Sequence, residues 1–139
     1  MDALIGLYML IQQAQKNLDE LKLQEVQNAT TELIQSIMQC ESGGNPDSVN
    51  TNDKKITGYA SYGLFQFQPY TFLSFAKKYK VLPQDANPPM KELVRLMKIP
   101  IYNQAVAHGM IKDGLTEQHW TNCYRKYKLA VKSSSWSFP

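Results

Sequence analysis

Among the titratable residues of this 139-residue chain, Glu41 sits where its neighbours should perturb it most. It closes an apolar-faced helical stretch, follows Cys40, and precedes Ser42-Gly43-Gly44-Asn45-Pro46, a run through which no helix continues. The unpaired carbonyls at such a helix end disfavour a carboxylate, and partial burial disfavours it further. A carboxylic acid kept neutral near pH 7 can hand its proton to a glycosidic oxygen. The competing reading is a solvated helix-end glutamate. Two-acid glycosidic chemistry needs a second carboxylate roughly 5 to 9.5 Å away. Asp47 and Asp53 offer one, although loop aspartates usually cap turns. His108 and His119 read as surface or capping residues. A cysteine nucleophile, Cys40 or Cys123 with a histidine as base, has no motif behind it. The His and Cys spacing suits no metal, and no cofactor is expected.

The elements that must carry these residues follow from periodicity. Leu4, Leu7, Tyr8, Ile11, Ala14, Leu18 and Leu21 recur at three and four, which predicts a helix from Leu4 to about Gln24. A second helix is expected from Val26 to Glu41, with Val26, Ala29, Leu33, Ile37 and Cys40 on one face. Residues 47–68, rich in Asn, Asp, Gly, Ser and Thr, read as a long loop or a small irregular hairpin. Further helices are expected from Pro69 to before Pro83, from after Pro89 to Pro100, over Ile101–Lys112, and over Trp120–Val131. The expected architecture is mostly α, or α+β with a very small β part: about six helices around one polar segment.

Composition bounds the rest. Hydrophobic residues at 43% and charged residues at 19% suit a soluble globule and exclude a disordered tail. A chain of 139 residues has room for one domain, taken here as 1–139 with an N-terminal helix over 1–25 and a tail over 133–139. The net charge of +3 comes from scattered rather than clustered basic residues, so an anionic polymer is an acceptable partner but nucleic acid is not called for. The apolar run Ala3–Ile11 lacks a basic start and a cleavage site and is too short to span a bilayer.

Two blocks carry a resemblance. Glu41-Ser42-Gly43-Gly44-Asn45-Pro46, followed after about fifteen residues by Ser61-Tyr62-Gly63-Leu64-Phe65-Gln66-Phe67-Gln68-Pro69-Tyr70-Thr71, resembles the E-S-x-x-N-P and S-x-G-L-x-Q-x-x-P-x-T signatures of the lysozyme-like lytic transglycosylases, relatives of the goose-type lysozymes. The resemblance implies a lysozyme-like α+β fold with Glu41 as the catalytic acid. It also implies a sugar groove lined by Gly63, Leu64 and Gln66, with Ser61 and Tyr62 either orienting Glu41 and contacting sugar or serving as structural hydrogen-bonders. The family's third block, Ala-Tyr-Asn-Ala-Gly, is not intact. Asn103, Gly109 and Met110 match the helix that precedes it, which puts the block on Trp120-Thr121-Asn122-Cys123-Tyr124, with Thr121 in place of the usual Tyr. Asn122, Trp120 and Tyr124 are therefore groove candidates, with Trp120 equally readable as core.

The implied activity is cleavage of the MurNAc–GlcNAc β-1,4 bond of peptidoglycan strands, with Glu41 as acid and then base and a 1,6-anhydro product. Hydrolysis as in goose-type lysozymes or phage endolysins, and glycan binding without cleavage, are the alternatives. The implied workplace is extracellular or periplasmic, for a monomer without membrane insertion. In that compartment Cys40 and Cys123 are expected to form one disulfide rather than two buried thiols.

Overall fold

Between Gly6 and Gly43 the sequence has neither glycine nor proline, and in the computed structural model this whole stretch belongs to one helix, α1 (Asp2–Ser42). The two helices expected over 4–24 and 26–41 are thus continuous. Thr30 and Thr31 do not break α1, because a β-branched residue costs a helix only a few tenths of a kcal/mol. The structure describes residues 2–135. Residues 136–139 of the expected tail lie outside them, and its first part continues the last helix to Ser135.

The chain divides into two compact units, Met1–Leu33 and Ile34–Pro139. The first carries the N-terminal part of α1, where Leu4, Leu7, Ile11, Leu18 and Leu21 are all exposed. No helix among the described residues is long and apolar enough to cross a membrane.

The second unit holds the core. Ile34 and Ile37, on one face of the last turns of α1, are buried. After α1 comes a two-stranded antiparallel sheet, β1 (Val49–Asn50) and β2 (Ser61–Tyr62), in register Val49 to Tyr62 and Asn50 to Ser61. A 3-10 turn (Thr51–Asp53) and a short helix α2 (Lys54–Thr57) connect the strands. The polar segment is therefore an elaborated hairpin. Helices α3 (Pro69–Lys78), α4 (Met90–Met97) and α5 (Pro100–Lys112) bury Phe72 and Ala76, Leu93 and Met97, and Val106 and Met110, at spacings of four, the helical period read from the sequence. Gly109 lets α5 approach the end of α3: a Cβ there would lie 2.5 Å from the Tyr79 ring.

The helix expected over Trp120–Val131 is α7 (Thr121–Ser135), and a short helix not expected from the sequence, α6 (Thr116–His119), precedes it. The break falls at Trp120, whose φ of −117° and ψ of 53° are not helical. Its indole is buried, and Nε1 donates to the carbonyl of Phe65 at 2.9 Å. That bond ties the side chain to the hairpin at the point where the helix is interrupted.

Candidate active site

The first signature block is a helix terminus. Gly43 and Gly44 take positive φ, the Gly43 amide closes the helix on the Gln39 carbonyl, and the Asn45 side chain accepts from the Asp47 amide at 3.0 Å. This reverses the chain into β1 and leaves Glu41 on the last turn. Asp47 is part of that turn; it does not line the pocket described below.

The second block is the hairpin's return and a tight turn. The Tyr62 and Phe67 backbones exchange hydrogen bonds, and Gly63 (φ 87°) and Gln66 (φ 55°) take left-handed conformations between them. Asn103 holds this turn from below. Fully buried on α5, it accepts from the Phe65 amide at 3.0 Å and donates to the carbonyls of Met97 at 2.9 Å and Tyr62 at 3.4 Å. Gly63 is required here because a Cβ would strike Asn103 Nδ2 and lie 2.5 Å from the Met97 carbonyl oxygen. The side chain of Gln66 folds back, its amide nitrogen donating to the carbonyls of Ser48 and Gly63 at 3.1 and 2.9 Å, which leaves its carbonyl oxygen without a partner among the described residues.

These elements enclose a pocket of about 280 Å³. Glu41 faces it from α1, Asn50, Asp53 and Ser61 from the hairpin, and Gln66, Gln68 and Thr71 from the turn and the start of α3. His119 and Trp120, between α6 and α7, complete the lining. Of the candidate site residues named from the sequence, Glu41, Asp53, Ser61, Gln66 and Trp120 are brought together in this lining. Tyr62, Gly63, Leu64, Asn122 and Tyr124 are not in it. Gly63 and Leu64 are buried in the turn, Tyr62 lies under the Lys98 ammonium, and Tyr124 stacks on Tyr127. Asn122 is exposed on α7.

Glu41 is half-buried, and its pKa is raised to about 7. Burial is the main cause, the carboxylate of Asp53 adds to it, and Lys126 on α7 opposes it. Ser61 Oγ donates to Asp53 Oδ2 at 2.5 Å, which holds that carboxylate in the pocket wall. The pocket thus contains one acid poised to give or take a proton near neutrality and a second, hydrogen-bonded carboxylate.

The disulfide is present. Cys40 on the last turn of α1 is bonded to Cys123 on the first turn of α7, closing a separation of 83 residues and tying the helix end that carries Glu41 to the helix that follows Trp120. No group of three or more acidic, His or Cys side chains suited to a metal ion occurs among the described residues.

Sequence reasoning missed Asn50, Gln68, Thr71 and His119 as pocket residues. Gln68 and Thr71 lie within the second block and could have been taken with it. Asn50 and His119 carry no local signal, because only the hairpin register and the break at Trp120 turn them toward Glu41.

The chain matches the family model of the transglycosylase SLT domain over residues 20–121. No curated protein and no solved structure matches it.

Proposed function

This chain belongs to the transglycosylase SLT domain family, and from that premise we propose that it cleaves the MurNAc–GlcNAc β-1,4 bond of peptidoglycan with Glu41 as the proton-transferring group. The observation that carries this reading is the half-buried Glu41 carboxyl facing a polar pocket, with its pKa raised to about 7. A group with that pKa is substantially protonated at neutral pH yet a competent base once it has lost the proton.

In the reaction proposed, Glu41 protonates the bridging oxygen as its bond to C1 of the MurNAc residue breaks. Positive charge builds at C1, and the substrate's own acetamido oxygen stabilises it. Glu41, now a carboxylate, takes the proton of the sugar's 6-hydroxyl as that oxygen bonds to C1. The product is a 1,6-anhydro sugar, and Glu41 ends the cycle protonated. Gln66, with its free carbonyl oxygen, and Ser61 are the groups proposed to hold the sugar. The substrate places the enzyme in the periplasm or outside the cell, where the Cys40–Cys123 bond is stable.

A second reading is favoured by one observation, the Asp53 carboxylate in the same pocket. In that reading a water held by Asp53 attacks C1 and the products are ordinary reducing ends, as in goose-type lysozymes.

The test is turbidity clearing of purified cell walls, with the soluble products weighed by mass spectrometry. Glu41→Gln is expected to lower the clearing rate by about 10² to 10⁴-fold, the scale of a lost general acid. Equal clearing by wild type and variant rejects Glu41 as the acid. Anhydro-muropeptides support the first reading. Products heavier by one water support the second.

A further inference from the structure

We propose that His119 is a substrate-binding residue of this pocket, its imidazole exchanging hydrogen bonds with a hydroxyl or acetamido group of an N-acetylated amino sugar seated beside Glu41. The proposal rests on the sugar-site reading above and adds a residue that neither signature block contains.

His119 ends α6 at the break in the helix and lines the pocket together with Trp120. Its ring is fixed by aromatic neighbours: the Trp120 ring centroid is 4.6 Å away at 80°, and that of Phe67 is 5.3 Å away at 40°. These contacts fix the orientation of the ring. Neither nitrogen has a hydrogen-bond partner among the described residues. No side-chain nitrogen among the described residues is both sealed from solvent and unpartnered, so the imidazole nitrogens are reached through the pocket, where a ligand's polar groups can replace water.

Two of its polar neighbours are already engaged through their N–H groups. Trp120 Nε1 donates to the Phe65 carbonyl, and Gln68 Nε2 donates to Thr57 Oγ1 at 2.7 Å. On the aromatic side of the pocket, the imidazole is the group left with both hydrogen-bonding functions free. Burial also holds its pKa below the usual histidine value. The ring is then neutral at pH 7, with one N–H and one lone pair. An uncharged donor and acceptor side by side suits the hydroxyl and amide groups of a sugar.

The alternative, that His119 only fills space between Phe67 and Trp120, makes a different prediction for an apolar ring. In His119→Phe the ring packing is retained and both nitrogens are lost. With Glu41→Gln as background, so that ligand is bound without turnover, calorimetric titration with N-acetylglucosamine trisaccharide is expected to show at least tenfold weaker binding for His119→Phe at unchanged melting temperature. His119→Gln, which restores a donor and an acceptor, should recover part of the loss. A measurement on the native side chain removes any dependence on variant folding: the imidazole nitrogen resonances of His119 should shift as wild-type protein is titrated.

Unchanged affinity in His119→Phe, or imidazole resonances that stay in place at saturation, overturns the proposal and leaves the sugar site standing. If Glu41→Gln binds no trisaccharide and wild type clears no walls, the sugar-site reading falls, and the role of His119 falls with it.

Discussion

The two sides of the pocket are built differently. Glu41, Asp53 and Ser61 lie on a helix end and a hairpin whose local hydrogen bonds close on themselves: the glycine cap of α1, the Asn45 turn, and the Ser61 hydroxyl on Asp53. His119 and Trp120 are placed by long-range contacts instead, an indole N–H reaching back to Phe65 and ring packing on Phe67. The polar side can be specified by a short contiguous motif. The aromatic side exists only once α6 and α7 have packed against the hairpin, and this is why the two intact signature blocks describe one side and pass over the other.

The bluntest way to break this arrangement is to cut its covalent tie. Replacing both Cys40 and Cys123 by Ser removes a crosslink across 83 residues, and the fold should lose about 4.5 kcal/mol in the chain-entropy description of such loops. Urea denaturation measures that loss. If the two sides are organised as described, wall-clearing activity should fall at a lower temperature than helical circular dichroism does, because the aromatic side loses its alignment before the helices melt.

A smaller effect is expected at the joint between the sides. Gly63→Ala forces a Cβ against Asn103 and Met97 at a φ of 87°. It should destabilise by about 3 kcal/mol, from backbone strain and overpacking together. Gly58 has a similar φ of 86° but open space around it, so Gly58→Ala should cost only about 1 kcal/mol. Equal losses for the two would show that the Asn103 contact adds nothing. Denaturant midpoints at fixed slope decide it.

The polar side also makes a pH prediction. The pKa of Glu41 is raised in the folded state, so its burial costs nothing below the unfolded value of 4.5, where both states hold the proton. The cost grows as pH rises toward about 7, where the folded carboxyl ionises. Glu41→Gln removes it. After allowance for the group's partial exposure to solvent, the variant should be more stable than wild type by about 1 to 2 kcal/mol at pH 8, with little difference at pH 4. Wild-type wall clearing, if Glu41 is the acid, should decline as pH rises above 7. A gain in stability that is the same at both pH values would mean that proton affinity is not its source.

The smallest change is expected from Asp53→Asn. Removing that carboxylate takes away one of the influences raising the Glu41 pKa, so the alkaline limb of the activity profile should move to lower pH. A limb that stays in place would show that burial alone sets the proton affinity.

The helices over α3, α4 and α5 were legible because each shows an apolar face at helical spacing bounded by proline or glycine. Glu41 was legible for a related reason, since its helix end, its glycine turn and its chemistry are contiguous in the chain. That Gly63 stands over Asn103 is not legible in its own block, because the partner lies forty residues away. Trp120 was read as the start of a helix and is the interruption between two, because the indole's bond to Phe65 outweighs the local preference to continue.

By itself, then, the sequence determined the periodic helices, the turn after Glu41 and the place of that glutamate at a helix end, because each of these depends on residues a few positions apart. The tertiary structure decided that burial and the Asp53 charge raise that acid's pKa, that Asn103 rather than a ligand occupies the space beneath Gly63, that Cys40 meets Cys123, and that His119 faces the same pocket. Burial and field at a point in space are sums over groups distant in the chain, and no local pattern of residue types contains that sum.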